Sequence, residues 1–532
     1  MHDTGPFSIP AIRSFVPERL KPWILILFVI VFQLSGGVYM AAVAEMEGST
    51  ALMHEDIMMA GYASLVGLAV SFVVQLRLKF RFPLKTTLLL CATVIILCNM
   101  VCMHSISVPV LVVVSFVAGF FRMWGTFACN STIQLWITPK RDLSVFFCYV
   151  YLLVHSMIQF TGVSVAAMAW WQSWEYIHLL CIGLLLALMI ATVILFRSFH
   201  FMKPLPLYGV DWLGGVMWSI VALLIIFICV YGDHYDWFES PYIRIAAVAV
   251  FVVGGLNYWR STFIRHPYID PQTWRYPVLR QTIAIYFVFE LFIAPEHLLD
   301  HAYFGGILGY DALHSTSLNW VTMAGTAVGA LFTWRVFAIR KWGYKRMTTI
   351  AFGVMVAYVL YNYFTIDYNL PKESLVLPLF LRGFGYAVFA ITFLTALTRI
   401  PFQHFFQGVT LQNFVSASLG GAVATAALGE LLKRLMHRNA MLLGSTLDSV
   451  NPVAVHSPLG TLYGAVQQQA LMLSMKEIYG WLAIVGIGCI GLFMIRESDI
   501  LLRPDRTIHP TWRAVRNLLK HRYGVKPLAD NN

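Results

Sequence analysis

Fourteen separate apolar stretches divide this chain of 532 residues, each near the ~20 residues that a helix needs to cross a bilayer. They lie near 22–44, 55–77, 84–103, 107–137, 143–169, 175–197, 211–231, 240–259, 278–300, 315–338, 345–366, 373–399, 404–436 and 472–496. Hydrocarbon offers no hydrogen-bond partners, so each stretch must satisfy its own backbone as a helix. The expected fold class is therefore an all-α polytopic membrane protein. Only short loops remain between the spans, too short for a separate soluble domain. Charged residues make up 12% of the chain, about half the ~25% share of soluble proteins.

The net charge of +11 follows membrane orientation and gives no reason to expect nucleic acid. Arg13, Arg19 and Lys21, then Arg77, Lys79, Arg81 and Lys85, then Lys140 and Arg141 occupy alternate loops. The opposite loops carry Glu45 and Glu47, then Asp233, Asp236 and Glu239, then Asp367. This asymmetry predicts an inner-membrane protein with both termini cytoplasmic. Ala41-Ala42-Val43-Ala44 looks like a signal-peptidase site, but the run before it is too long for a signal peptide and reads as an uncleaved first helix. The eight cysteines all fall inside apolar runs without a CxxC pair, as small core hydrophobes do. Neither a metal site nor a cofactor is expected. No GxxxxGK[ST], HExxH or GxSxG motif occurs, which argues against an ATP-driven pump and against an enzyme. Uphill transport by such a chain would draw on an ion gradient.

An internal repeat gives the next level of organisation. Arg122-Met123-Trp124-Gly125 in the fourth span matches Arg382-Gly383-Phe384-Gly385 in the twelfth, and each runs on to a threonine at the same offset, Thr138 and Thr398. Thr86-Thr87 and Thr348-Thr349 stand at similar places one span earlier. Parallel repeats with a site between the halves are a recurrent transporter plan. The expected organisation is a cytoplasmic segment 1–21, a six-helix half 22–197, an inserted helix pair with linkers 198–276, and a second six-helix half 277–496 with an outside loop 437–471. A basic cytoplasmic tail, 497–532, follows and is expected to meet anionic headgroups.

Val210-Asp211-Trp212-Leu213-Gly214 and Tyr235-Asp236-Trp237-Phe238-Glu239-Ser240 resemble the inserted helix pair of the fourteen-span drug:proton antiporters of the major facilitator superfamily, the EmrB/QacA-type multidrug exporters. His266-Pro267-Tyr268-Ile269-Asp270 and Leu308-Gly309-Tyr310-Asp311-Ala312 are similar to that family's entry to the second half. Leu411-Gln412-Asn413-Phe414 and Gln467-Gln468-Gln469-Ala470 resemble its end. The resemblance implies a major facilitator fold of two six-helix halves plus a central pair, and proton-coupled export of drugs or amphipathic organic compounds. It also implies a periplasmic HlyD-like adaptor and an outer-membrane TolC-like channel as partners. The chain departs from the family pattern where Gln33-Leu34-Ser35-Gly36-Gly37 carries no first-helix acid. The loop Arg77-Leu78-Lys79-Phe80-Arg81 lacks the usual Asp and Gly, and the fifth span lacks the Gly-Pro-Gly-Gly signature. Transport of a metabolite or siderophore, and a non-transporting protein that keeps the fold, are the other readings.

Ionisable groups within a span cost about 2.5–3.5 kcal/mol each on insertion scales and so face a cavity or a partner. Glu290 lies in mid-span with no opposite charge at i±4, and burial favours the neutral, proton-carrying form of a carboxyl group. It is the expected replacement for the missing first-helix acid as the proton-coupling residue. Arg122, which resembles the family's arginine motif, is the second coupling candidate, expected to bias the charge of Glu290. Gln33, Asn130, His155, Gln159 and Arg382 are the candidates for lining a substrate cavity. Glu296, His297, Asp300 and His301 read as solvated polarity at the end of the ninth span.

Overall fold

A computed structural model describes residues 11–199, 204–447 and 457–495. The expected tail 497–532, residues 1–10 of the expected segment 1–21, and residues 448–456 of the expected outside loop lie outside these described residues. Fourteen helical units follow one another: α1 (Lys21–Leu34), α2 (His54–Arg81), α3 (Leu84–His104), α4 (Val108–Ile137), α5 (Leu143–Trp171), α6 (Tyr176–Leu195), α7 (Trp212–Tyr231) and α8 (Pro241–Phe263). Then come α9 (Pro277–Ile307), α10 (Ala312–Ile339), α11 (Tyr344–Thr365), α12 (Lys372–Leu397), α13 (Phe402–Ser445) and α14 (Leu459–Ile495). Thirteen are long and apolar enough to cross a membrane, and α1 is a shorter apolar helix. The chain is a multi-pass membrane protein.

Three of the predicted spans differ in instructive ways. The first was expected over 22–44, but its helix stops at Leu34, and Ser35 and Tyr39 are extended before a short turn at Met40–Ala42. Gly36-Gly37 is the cause: two glycines lose the most conformational freedom in a helix. Backbone irregular at membrane depth persists only where protein or a water-filled cavity covers it. The thirteenth span runs past 436 to Ser445, and the fourteenth begins at Leu459 rather than 472, so both described ends of the expected loop 437–471 are helical. Polar pairs extend these helices beyond the apolar stretch. Arg434 Nε donates to Glu430 Oε1 at 2.6 Å one turn back, and Asn439 Nδ2 donates to Ser474 Oγ on α14 at 3.0 Å.

The tightest packing joins α2 to α4 and α10 to α12, helices that hold the same place in the two halves. Helix association in a bilayer relies on close backbone approach at small residues. A Cβ on Gly67 would sit 2.1 Å from Phe116 O, and one on Gly119 would sit 1.9 Å from Ser64 O. In the second half, a Cβ on Gly383 would meet Thr322 O at 2.3 Å, and one on Gly325 would meet Phe380 O at 2.2 Å. The repeat seen in short motifs thus extends to how the halves are packed.

The halves meet along two seams, α5 against α10 and α12, and α2 against α13. The inserted pair lies over the second seam and is tied to both sides of it. Tyr231 on α7 donates to Asp56 on α2, whereas Trp237 Nε1 donates to Glu430 Oε2 on α13 at 3.3 Å. At the other end, the Tyr268 hydroxyl donates to Val70 O of α2, and Gln407 Oε1 of α13 accepts from Asp270 N at 3.1 Å and from the Thr273 hydroxyl at 2.7 Å.

Candidate functional site

Glu290 sits in α9 one turn before Pro295, whose ring and missing N–H break the helix after Ile293. The break separates Glu290 from Glu296 and turns both toward the interior. Glu290 is buried at 3% exposure, and its Oε1 has no hydrogen-bond partner among the described residues. Across from it, α13 contains a π-helical turn at Phe414–Leu419, a distortion often found at functional sites. That turn brings Gly420 so close that a Cβ there would lie 2.8 Å from Glu290 Cγ.

Tyrosines from both halves surround this carboxyl group. Tyr62 of α2 and Tyr151 of α5 come from the first half, and Tyr286 and Tyr386 from the second; all four lie within electrostatic reach of Glu290. Gln412 Nε2 of α13 donates to the Tyr286 hydroxyl at 2.8 Å. Phe289, the residue before the acid, stacks on Phe389 with ring centroids 3.7 Å apart, so the packing beside it is aromatic.

Of the residues expected to line a cavity, three form a chain across the α5–α12 seam. His155 stacks on Tyr151 at 5.0 Å and meets Tyr386 of the second half edge-on at 4.6 Å. One turn on, Gln159 Nε2 donates to Glu296 Oε1 at 3.4 Å. Arg382, 4% exposed, then pairs with Glu296 at 3.3 Å and with Asp300. The reading of Glu296 and Asp300 as solvated helix-end polarity is corrected here. At i and i+4 they share one face of α9, and that face turns to a buried guanidinium whose fork takes a carboxylate on each arm.

Gln33 and Asn130 lie elsewhere, between helices of the first half. Gln33 Nε2 of α1 donates to Thr126 Oγ1 of α4 at 3.0 Å, leaving its buried Oε1 without a partner among the described residues. Asn130 Oδ1 accepts from the Tyr149 hydroxyl at 3.5 Å. Arg122 faces Gly36 and Tyr39 of the broken first helix, with Nη1 3.7 Å from where a Gly36 Cβ would be. The fold sets Arg122 against the broken first helix, and among the described residues no hydrogen bond or ion pair joins it to Glu290. Sequence reading missed the four tyrosines, since nothing marks them until helices far apart in the chain converge.

No family profile matches the sequence, and no curated protein matches it either. Solved structures do. The chain is similar to tetrameric PepTSo2 with a TM-score of 0.56 and 12% identity, over 90% of this chain and 97% of that one. It is similar to an auto-inhibited POT family peptide transporter at 0.53 and 13%, covering 90% and 97%, and to a structure described for substrate recognition in proton dependent oligopeptide transporters at 0.54 and 11%, covering 90% and 98%. The chain has the fold that these solved structures share. At this identity the likeness speaks for the fold, so the chemistry must be argued from the chain's own residues. In this chain Glu290 and Glu296 lie near the contacts between the two halves, α5 against α10 and α12, and α2 against α13.

Proposed function

We propose that this chain is a proton-coupled secondary transporter of the inner membrane, with both termini cytoplasmic, that exports amphipathic organic molecules. The observation that carries the reading is Glu290, an acid without a hydrogen-bond donor, enclosed between halves that each supply tyrosines around it. Burying a charge without a partner is costly. Closing the seam around Glu290 therefore selects its neutral form, and proton uptake and closure become one event. Opening exposes the group to water or to a bound substrate, and the proton leaves. Export rather than uptake is supported by the resemblance of the inserted pair to that of drug:proton antiporters, and an aromatic surround suits amphipathic cargo. The neighbours named as proton dependent oligopeptide transporters support the other polarity, in which cargo and proton move together.

Purified protein in liposomes with a lumenal pH dye tests both. A panel of aromatic acids, lipophilic cations and dipeptides is added outside, under an imposed pH gradient. Substrate-dependent proton movement is expected, opposite to cargo flux for export and parallel to it for uptake. Glu290→Gln should abolish it while the protein still inserts and binds. Unchanged proton-coupled flux in Glu290→Gln would overturn the assignment.

A further inference from the structure

Arg122 and Arg382 hold the same position in the two halves of the repeat, yet their surroundings differ. Arg382 is matched by two carboxylates. Among the described residues Arg122 makes no ion pair and no hydrogen bond, and its Nε is buried without an acceptor. It stands at the middle of α4, 14 residues after Val108 and 15 before Ile137, or roughly 21 Å of helix from either end at ~1.5 Å per residue. Lipid headgroups are out of reach there. The guanidinium is always charged and carries five donors in a planar fork with no acceptor.

The immediate surroundings offer it no anion. Tyr39, which meets Gly36 beside it, is already committed: Gly36 N donates to the Tyr39 oxygen at 3.1 Å, and the hydroxyl lies 3.1 Å from Asn99 Oδ1 and 3.1 Å from Cys181 Sγ. A second, independent feature meets Arg122 at the same place. The first helix is interrupted at Ser35–Tyr39, and one of its unwound glycines, Gly36, faces the guanidinium, whereas Gly37 packs on Ser115. Discontinuous helices near mid-membrane are where transporters place ligands, with exposed backbone groups as part of the site. One turn along α4, the Gln33–Thr126 contact keeps Gln33 Oε1 free of any donor, and it can accept from a ligand's hydroxyl or amide.

We infer that Arg122, with the broken first helix opposite it, forms an oxyanion site, so that the transported molecule carries a carboxylate, phosphate or sulfonate group. This refines the substrate class and rests on the transport reading only for its purpose, since binding at Arg122 is measurable without transport. In the second half the equivalent arginine is neutralised within the protein, and in the first half its counter-ion arrives with the cargo.

The test uses the full-length protein in native membrane vesicles and phenylglyoxal, which modifies accessible, unpaired arginines, with residue-resolved mass spectrometry. Arg122 should be modified and Arg382 spared. Benzoate and phenyl phosphate should slow modification of Arg122 at least fivefold, whereas benzylamine and benzyl alcohol should leave it unchanged. An unmodified Arg122, no protection by either anion, or equal protection by benzyl alcohol would each overturn the site. Arg122→Lys should keep part of the benzoate binding measured on the purified protein, and Arg122→Gln should lose it; equal binding in both would also overturn it. A result in which Arg122 is protected while Glu290→Gln leaves proton flux intact separates the two proposals.

Discussion

Gln159 on α5 donates to Glu296 on α9 at 3.4 Å, a hydrogen bond that crosses from one half of the molecule to the other. It links the seam to the Arg382 cluster and sits one turn from His155, which bridges the same seam through Tyr386. Helices that must separate during a cycle are expected to be held by contacts of modest strength, and this bond is long enough to be one.

Gln159→Leu removes the bond without adding bulk to the seam. Side-chain hydrogen bonds between membrane helices are worth about 0.6 kcal/mol on average, so the closed population should fall about threefold relative to open states. Spin labels at the Trp171 end of α5 and the Ala312 end of α10 would report the shift as growth of a longer distance. An unaltered distance distribution would mean that Glu296 is held by Arg382 alone.

At the other end of α5, Asp142 caps the helix by accepting from Ser144 N at 3.0 Å and also pairs with Lys341 of the second half. Burial pushes its carboxyl up, but hydrogen bonds from Lys341 and Ser144 and the lysine's charge outweigh this and hold it below the ordinary carboxylate range. A lowered pKa in the folded state means stabilisation that is complete above ~4 and lost as pH falls through the lowered value. Between pH 8 and pH 5 the pair should therefore be unaffected. Salt should weaken it, since exposed pairs are worth about 0.2–1 kcal/mol and are screened. Asp142→Ser keeps the cap and loses the pair, while Asp142→Ala loses both and should melt lower by a further ~1 kcal/mol. Equal melting temperatures for the two variants would remove the capping role.

The two halves also depend on close backbone approach. Gly119→Ala places a methyl group 1.9 Å from Ser64 O, so α4 must move away from α2. A cost of about 1–3 kcal/mol is expected, read as a lower melting temperature and reduced folded yield. Gly183, on α6, has nothing within 4 Å of a built Cβ, so Gly183→Ala is the control and should be neutral or mildly stabilising by up to ~1 kcal/mol. Similar losses at both positions would show that the close approach to Ser64 is not what makes Gly119 sensitive.

What sequence reading reached, and what it missed, follows the range of the interactions. Spans are written locally, as apolar length, and so thirteen long helices and the shorter first one appear near where hydropathy places them. The break at Gly36-Gly37 escaped because apolar residues continue on both sides and hydropathy ignores backbone freedom. The extension of α13 escaped for the opposite reason, since Glu430, Arg434 and Asn439 are polar yet helical through pairs one turn apart or on α14. Glu290 was legible as a lone acid in a span. Its tyrosines come from α2, α5, α9 and α12, and no local pattern announces such a convergence. The i, i+4 spacing of Glu296 and Asp300 did mark one helix face, but what that face meets depends on Arg382, some 80 residues away.

Arg382 is the strongest test of how charge is balanced in the interior. Its two arms hold Glu296 and Asp300, and the Tyr358 ring lies 6.0 Å from its guanidinium carbon. Arg382→Met leaves two carboxylates without their cation, and breaking a buried pair in this way costs about 3–5 kcal/mol. Arg382→Lys keeps the charge but reaches one carboxylate at a time, so an intermediate loss is expected. Adding Glu296→Gln and Asp300→Leu to Arg382→Met removes the stranded charges and should recover most of the lost stability, because a well-packed apolar replacement of a buried ionic cluster is often neutral. Thermal melting of the parent and the three variants in the same detergent gives the order: parent near the triple variant, Lys below them, Met lowest. If the triple variant melts no higher than Arg382→Met, the arginine acts through its shape and packing rather than by balancing the two acids.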